Sequence, residues 1–154
     1  MTVEAIPKGY HTITPYMTVR DAARAIEFYK QAFGAVEKGV SKAPDGKIMH
    51  AELRIGDSIV MLADEFPEFG ALSPQSTGGT GMGLHIYIED VDSAFDRAVK
   101  AGATVEMPVA DMFWGDRYGK LADPFGHKWS IGTHKRDVTM EEMQEAMNHL
   151  PKSA

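Results

Sequence analysis

The stretch Val19–Tyr29, with the sequence VRDAARAIEFY, is echoed about 69 residues later by Ile88–Ala98, IEDVDSAFDRA. Both copies close in the same way, with AFGAVE at Ala32–Glu37 and AGATVE at Ala101–Glu106. Such a repeat indicates two copies of one supersecondary unit, each of which buries its apolar face against its twin. The sequence therefore predicts two modules that face each other and enclose a space.

Each copy has the pattern of a βαβββ module. The first copy begins with His11–Val19, a stretch rich in Thr, Ile, Tyr and Val that predicts a strand. Its helix follows Asp21, whose side chain can accept hydrogen bonds from free backbone N–H groups, and ends at Gly34. The later strands are a segment ending near Val40, then Ile48–Ile55 and Ser58–Leu62.

The second copy repeats this order of elements. Gly83–Ile88 predicts a strand, Asp90 or Asp92 caps the next helix, and Gly102 ends it. The last two strands are Arg117–Ala122 and Lys128–Thr133, joined by a turn rich in Pro and Gly, Asp123–His127. Between the copies, residues 66–82 have the composition of a loop.

The pattern predicts one α+β domain, residues 1–154, in which two tandem βαβββ modules form curved mixed β-sheets around a shared cavity. The first module spans residues 10–65, the linker 66–82, the second module 83–134 and a C-terminal helix 138–150. This helix opens with a capping-box pattern, Thr139–Glu142. Its apolar stripe consists of Met140, Met143, Met147 and Leu150. We expect the stripe to pack on its own chain, with a second subunit as the alternative partner.

Composition excludes several classes of function. With 44% hydrophobic and 25% charged residues, the 154-residue chain has the make-up of a globular domain, and it has neither a membrane-length apolar run nor a signal-peptide pattern. A net charge of −6 argues against a nucleic-acid partner. The absence of cysteine excludes disulfides and thiolate sites and agrees with a cytoplasmic location.

A set of ordered motifs lies on the duplicated framework: Thr14–Tyr16, Ala25–Tyr29, Ala32–Ala35, Phe113–Gly119 and Asp123–His127. Together they resemble the vicinal oxygen chelate superfamily, which includes glyoxalase I, bleomycin-resistance proteins and extradiol dioxygenases, and within it the PhnB-like branch. The resemblance covers about Tyr10 to His134. It implies an incomplete barrel of two sheets around a small-molecule site, and a homodimer.

The resemblance also provides a test for a metal site. Metal-using members carry four ligands at strand positions that correspond here to Thr14, Met61, Gly83 and Ser130, and the pairs 14/83 and 61/130 are both 69 residues apart. None of these residues is a usual ligand of a divalent metal. A shift of one residue gives no better set: Ile13, Val60, Leu84 and Trp129. We therefore predict that the usual metal tetrad is absent and assign no cofactor.

Strand alternation predicts which side chains face the cavity. In the first strand Met17 and Val19 face the helices, which leaves Tyr16 on the cavity side. In the fifth strand His85 and Tyr87 point inward for the same reason. In Ile48–Ile55 the expected buried set is Met49, Ala51, Leu53 and Ile55, and the cavity-facing set is His50, Glu52 and Arg54.

His85 and Glu52 are the candidate catalytic residues, and Tyr16, His50 and Tyr87 are candidate ligand-binding residues. His85 is either a group that acts directly, as a general base or metal ligand, or a hydrogen-bonded structural histidine. His50, Glu52 and His85 together have the donor atoms for an unusual divalent-metal site, although a solvated strand face explains the His50–Glu52 pair equally simply.

Phe113, Trp114 and Arg117 complete the predicted ligand-binding set. Phe113 and Trp114 can form one wall of the cavity, with Asp116 and Arg117 supplying charge. Alternatively, an Asp116–Arg117 pair holds the loop while Trp114 fills the core. His127, in the last turn, is predicted to face solvent.

The leading hypothesis is a protein that binds an unknown small molecule between its modules, without the usual metal tetrad. The alternative is a glyoxalase-type lyase or isomerase that uses a divalent metal at His50, Glu52 and His85. A third possibility is a homodimer that sequesters its ligand without turnover. Neither nucleic acid nor membrane is an expected partner.

Overall fold

The computed structural model describes residues 2–152. Eight strands and four α-helices lie in that range, together with a short 3-10 helix at Pro67–Phe69. The strands are β1 (Tyr16–Val19), β2 (Val36–Lys42), β3 (Ile48–Ile55), β4 (Ser58–Asp64), β5 (Gly83–Tyr87), β6 (Thr104–Asp111), β7 (Asp116–Ala122) and β8 (Lys128–His134). The helices are α1 (Ala22–Phe33), α2 (Pro74–Thr77), α3 (Val91–Ala101) and α4 (Met140–Asn148). No helix among the described residues is long and apolar enough to span a membrane.

The strands form two four-stranded sheets of identical topology, β1-β4-β3-β2 and β5-β8-β7-β6. In each sheet the first strand pairs parallel with the fourth, and the other pairs are antiparallel. The α+β class and the two βαβββ modules predicted from the repeat are therefore confirmed, as is the mixed character of the sheets. Both β1 and β5 lie at a sheet edge.

The repeat extends to single hydrogen bonds. Asp64, on the last strand of the first module, accepts a hydrogen bond from the Ala22 N–H at the start of α1 (2.8 Å). Thr133 lies 69 positions later, and its Oγ1 accepts from Val91 N–H at the start of α3 (2.9 Å). Asp21 and Asp90 cap the two helices in the same way, which identifies Asp90 rather than Asp92 as the second cap.

The two modules pack together through α1, which lies against α3 and against the β7–β8 end of the second module. Tyr29 on α1 donates a hydrogen bond to the buried carboxylate of Asp123 in the β7–β8 turn (2.6 Å). The rings of Phe33 and Trp129 lie 4.7 Å apart across the same boundary. The core of each module is therefore continuous with that of its twin.

Two predictions about the elements were wrong in detail. The first strand begins at Tyr16 rather than His11, since the chain pairs with β4 only from that residue onward. Met49 is exposed rather than buried, and Ile48 occupies the core instead. The β2–β3 register shifts between Ser41 and Lys42, which moves the buried position at the start of β3.

The linker is more ordered than its loop-like composition predicted. It contains the 3-10 helix and α2, and Glu65 anchors it by accepting hydrogen bonds from the N–H and hydroxyl of Ser73 and from the hydroxyl of Ser76. Pro74 lies against Gly126 in the β7–β8 turn. The linker thus connects the end of β4 to the second module.

The C-terminal helix does not pack on its own chain, which overturns our expectation for it. The capping box at Thr139 and Glu142 is formed as predicted. However, none of the residues of α4 is fully buried, and its apolar stripe is largely exposed, with Met140 at 81%.

Candidate functional site

A cavity of about 680 Å³ lies between the two modules. The first module lines it with the end of α1 and the β3–β4 hairpin, and the second lines it with β5, α3 and β8. The lining is mainly apolar and includes Phe33, Val60, Leu84, Ile86, Trp129 and Ile131. A few polar side chains join it: His11, Asp57, Ser58, His85 and Tyr87. The predicted cavity shared by both modules is therefore present.

Strand β5 places His85 and Tyr87 at this cavity. Because β5 is an edge strand, residues of both of its faces line the space: Leu84 and Ile86 from the helix side, His85 and Tyr87 from the opposite side. We call that opposite side, directed away from α1 or α3, the open face of each sheet. Tyr87 is 66% exposed there.

The His85 ring is held by its neighbours on the open face of the second sheet. Its Nδ1 and the hydroxyl of Ser130 are hydrogen-bonded at 2.7 Å. Tyr87 meets the imidazole edge-on at 4.5 Å between ring centroids, and Tyr118 stacks on it at 5.7 Å. A Cβ on Gly132 would lie 3.2 Å from Cε1 of His85, so the absence of a side chain at this glycine provides the space that the ring occupies. Desolvation by these groups lowers the pKa of His85, and the charge of Asp116 opposes that shift.

Asp116 links the second open face to the end of β8. Its buried carboxylate accepts a hydrogen bond from the Tyr87 hydroxyl (3.3 Å) and binds Nδ1 of His134 (2.7 Å). The charge of Asp116 raises the pKa of Tyr87, which keeps the phenol protonated. Hydrogen bonds to Asp116 and Asp137 raise the pKa of His134. This histidine is therefore a partner of Asp116 and does not line the cavity.

The open face of the first sheet carries a second chain of hydrogen bonds. The hydroxyl of Tyr16 lies 2.8 Å from Nδ1 of His50, and Nε2 of His50 lies 3.1 Å from Oε1 of Glu52. Tyr10, in the segment before β1, donates its hydroxyl proton to the other oxygen of Glu52. These bonds lower the pKa of Glu52, with that from Tyr10 contributing most.

The structure does not bring the His85 group of the second sheet together with the Tyr16, His50 and Glu52 group of the first sheet. Tyr16, His50 and Glu52 do not line the cavity that His85 lines. In residues 2–152, no three His, Cys, Asp or Glu side chains are placed to hold one metal ion. The hypothetical metal site of His50, Glu52 and His85 is therefore not formed within the chain, because its residues belong to separate sheets.

The four positions compared for the metal tetrad are not paired across the strands as Thr14 with Met61 and Gly83 with Ser130. Tyr16 lies opposite Met61, and His85 lies opposite Ser130, so the first-strand partners are two residues beyond Thr14 and Gly83.

The same registers relate the two open faces to each other. Ala51 pairs with Leu62, and Gly119 pairs with Ile131, 69 residues after Leu62. The residues that precede them, His50 and Tyr118, are therefore equivalent. In the first module, Tyr16 on the first strand lies beside His50 on the third. In the second module, the first strand carries the histidine, His85, and the third carries the tyrosine, Tyr118.

The predicted aromatic wall of the cavity is not formed by Phe113 and Trp114, although both lie near the site. Phe113 and Trp114 are half-buried in the β6–β7 loop, and Trp114 lies edge-on to Tyr118 at 5.3 Å. Stacking thus connects the loop to His85 through Tyr118. Neither loop residue lines the cavity itself.

Arg117 does not point toward the ligand-binding space. Its guanidinium binds Asp92 on α3 through two hydrogen bonds of 2.7 and 2.8 Å, and Asp111 at 3.2 Å. The predicted Asp116–Arg117 pair is also wrong, because adjacent strand residues point to opposite faces. Arg117 instead fastens α3 to the second sheet.

His127 is not a solvent-facing turn residue, contrary to the prediction. Its Nε2 donates a hydrogen bond to the carbonyl of Thr18 on β1 (2.9 Å), and the residue is half-buried. It therefore joins the edge of the first sheet to the second module.

Two contributors to the site were missed in the sequence. Tyr118 could have been found by extending strand alternation to β7, where it shares a face with Asp116. Tyr10 could not, because it lies outside any strand and reaches Glu52 across 42 residues of sequence.

Several known proteins are similar to this chain in sequence or in fold. A model of the Glyoxalase/Bleomycin resistance protein/Dioxygenase superfamily matches residues 10–131. The chain is 50% identical over 139 residues to the uncharacterized protein Rv0887c of Mycobacterium tuberculosis, covering 88% of this chain and 82% of that protein. TioX from Micromonospora sp. ML1 has a similar structure (TM-score 0.64, 27% identity, 84% of this chain and 100% of TioX). So does the Arabidopsis thaliana product At5g48480 (TM-score 0.64, 28% identity, 79% and 98%).

Proposed function

The chain belongs to the glyoxalase/bleomycin resistance protein/dioxygenase superfamily, and we propose that it binds a small organic molecule in the cavity between its two modules. The cavity is the observation that carries this proposal. Its volume of about 680 Å³ falls within the range of small-molecule sites, roughly 300–1,000 Å³. Its lining combines an apolar surface with a few polar side chains, which is the composition such sites have.

His85 and Tyr87 are the groups that orient the ligand in this proposal. Both lie where the cavity reaches the open face, and both offer a polar atom beside an aromatic surface. Phe113 and Trp114 support this end of the site through Tyr118 and contact ligands that extend beyond the cavity. Arg117 has no such role, because Asp92 and Asp111 occupy its guanidinium.

The proposal is tested by filling the cavity from its rim. Ile13 lines the cavity yet is 85% exposed, so Ile13→Trp adds bulk there without disturbing the core. Ile6→Trp is the matched control, since Ile6 is also exposed and does not line the cavity. With the fluorescent probe 1-anilinonaphthalene-8-sulfonate, we expect Ile13→Trp to weaken binding roughly tenfold, or about 1.4 kcal/mol. Equal affinities for both variants and the wild type would remove the cavity from consideration.

We also propose that the protein is a homodimer and that α4 contributes to the contact. The helix presents Met140, Met147 and Leu150 to solvent, and none of its residues is fully buried. An apolar stripe of this kind on an otherwise polar helix is typical of a surface that becomes buried.

Sedimentation velocity tests the dimer with two matched substitutions on α4. Met147→Glu introduces a charge into the stripe, whereas Asn148→Glu introduces one outside it, about 100° further around the helix. We expect the first variant to sediment as a monomer and the second to remain a dimer. A monomeric wild-type protein would contradict the proposal.

Within the superfamily, we propose a place in the PhnB-like branch. The support is the ordered wording of Thr14–Tyr16, Ala25–Tyr29 and Phe113–Gly119 on the duplicated framework. A phylogeny of the superfamily tests this placement, and grouping of the chain with another branch would reject it.

A further inference from the structure

Tyr10, Glu52, His50 and Tyr16 form an unbroken hydrogen-bonded chain on the open face of the first sheet. None of the four lines the cavity between the modules. The small-molecule site proposed above therefore leaves them without a role. All four are titratable groups with directional hydrogen bonds, and Tyr16, at the end of the chain, is 51% exposed.

The position of each proton follows from the donors and acceptors. Hydrogen bonds from Tyr10 and His50 lower the pKa of Glu52, so this side chain is a carboxylate that can only accept. Nε2 of His50 must then carry a proton and donate it to Glu52. In a neutral imidazole, Nδ1 is consequently the acceptor, and the Tyr16 hydroxyl donates to it at 2.8 Å.

This direction determines what Tyr16 offers to a ligand. Its single proton is committed to His50, so only the lone pairs of the phenol oxygen remain available on the exposed side. A group that approaches Tyr16 must therefore be a hydrogen-bond donor. Desolvation and the charge of Glu52 raise the pKa of Tyr16, so the phenol does not become a free phenolate on its own.

We propose that this chain is a proton-accepting site for ligands that carry an acidic hydroxyl group, such as a phenol or an enol. The ligand O–H bond breaks and its proton forms a new O–H bond with Tyr16. At the same time the original Tyr16 proton moves to Nδ1 of His50. The products are a ligand oxyanion and an imidazolium that is paired with the Glu52 carboxylate. Tyr16 ends neutral, so protons and charge balance.

The surroundings of His50 contain few other charges. Tyr16 faces it from β1, Glu52 lies on its own strand, and Tyr10 reaches Glu52 from the N-terminal segment. From β2, Lys38 acts on Glu52 through its charge, and Ser41 is the residue that pairs with His50. Glu52 is therefore the anion that stabilises the imidazolium.

The test uses 4-nitrophenol, whose phenolate is yellow, with EDTA present to exclude metal effects. At one pH unit below the free dye's pKa, roughly a tenth of it is ionised. We expect bound dye to be several-fold more ionised than free dye, because the chain accepts its proton. Tyr16→Phe abolishes this excess, and Glu52→Gln reduces it by removing the anion. Glu37→Gln, which removes a surface carboxylate paired with Lys30 in the same module, leaves it unchanged.

A second measurement keeps the test decisive if the dye binds weakly. The ¹⁵N chemical shifts of the His50 ring report its tautomer, and we expect a protonated Nε2 with Nδ1 as acceptor. A protonated Nδ1 in the neutral ring, or dye ionisation that survives in Tyr16→Phe, overturns the proposal. Circular dichroism checks folding of each variant. Binding of 1-anilinonaphthalene-8-sulfonate in Tyr16→Phe stays at the wild-type level, which separates failure of this site from failure of the cavity.

Discussion

Asp123 shows how much of this fold depends on one buried carboxylate. One of its oxygens accepts from the Tyr29 hydroxyl (2.6 Å) and the Trp129 indole N–H (2.9 Å). The other accepts from two backbone N–H groups of its own turn, those of Phe125 and His127. Four donors converge on this one side chain, so all four lone-pair positions of the Asp123 carboxylate are occupied.

Substitution of Asp123 by asparagine tests this arrangement. The amide NH₂ replaces one acceptor oxygen and meets donors that already point at it, which leaves buried groups unsatisfied. We expect a loss of about 2–4 kcal/mol in the free energy of unfolding, measured by urea denaturation. Tyr29→Phe, the control, removes the hydroxyl that donates to Asp123 and more weakly to the sulfur of Met17, and costs about 1.5–3 kcal/mol. Equal stability of Asp123→Asn and wild type would contradict the role assigned to the carboxylate.

For single residues, the sequence patterns predicted the direction of a side chain better than they predicted its hydrogen-bond partners. Alternation correctly placed His85 and Tyr87 at the cavity, because a strand fixes side-chain direction every second residue, but Tyr16 and His50, predicted in the same way, do not line it. It could not show that Arg117 binds Asp92 on a helix 25 residues away, or that His127 reaches Thr18 across 109 residues. Such partners depend on packing between elements, which a local pattern does not contain.

Among the elements, the linker is the one whose order depends most on electrostatics. Hydrogen bonds from Ser73 and Ser76 lower the pKa of Glu65 to about 2, from an ordinary value of 4.5. A carboxylate whose pKa is depressed on folding stabilises the native state above the unfolded pKa. Its contribution is complete above pH 4.5 and is lost as the pH falls toward 2.

Glu65→Gln is therefore expected to change how the free energy of unfolding depends on pH. The variant lacks the carboxylate, so its unfolding free energy falls less steeply than that of the wild type between pH 4.5 and pH 2. Urea denaturation at half-unit pH steps measures the difference. Glu68→Gln, a charge-matched control in the exposed 3-10 helix, keeps the wild-type slope. Parallel curves for Glu65→Gln and wild type would show that the linker is held in another way.

The elements also show where repeat analysis succeeds and where it stops. Helix caps, helix ends and sheet pairing recur at an interval of 69 residues, so one module predicts the other. The linker and α4 have no counterpart in the repeat, and the expected loop structure of the first and packing of the second differ from the structure. Short segments outside a repeat are specified by a few side-chain contacts, such as those of Glu65, that composition does not reveal.

At the scale of the whole molecule, the sequence predicted two modules and a cavity but not how the sheets are arranged. The resemblance implied an incomplete barrel of two sheets, and in this chain the modules meet at α1 and α3. The cavity lies between the modules, and the two open faces remain accessible. Apolar patterns specify that each helix is buried, but they do not specify which neighbour buries it.

Because the helices form one continuous core, we expect the two modules to unfold as a single cooperative unit. Phe33 of the first module packs against Trp129 of the second, and Tyr29 contacts the same indole. Phe33→Ala should cost about 3–5 kcal/mol. In urea, tryptophan fluorescence, which arises entirely from the second module, and far-ultraviolet circular dichroism should then shift together to a lower midpoint. If fluorescence kept its wild-type midpoint while circular dichroism shifted, the modules would be independent and the shared core would carry little of the stability.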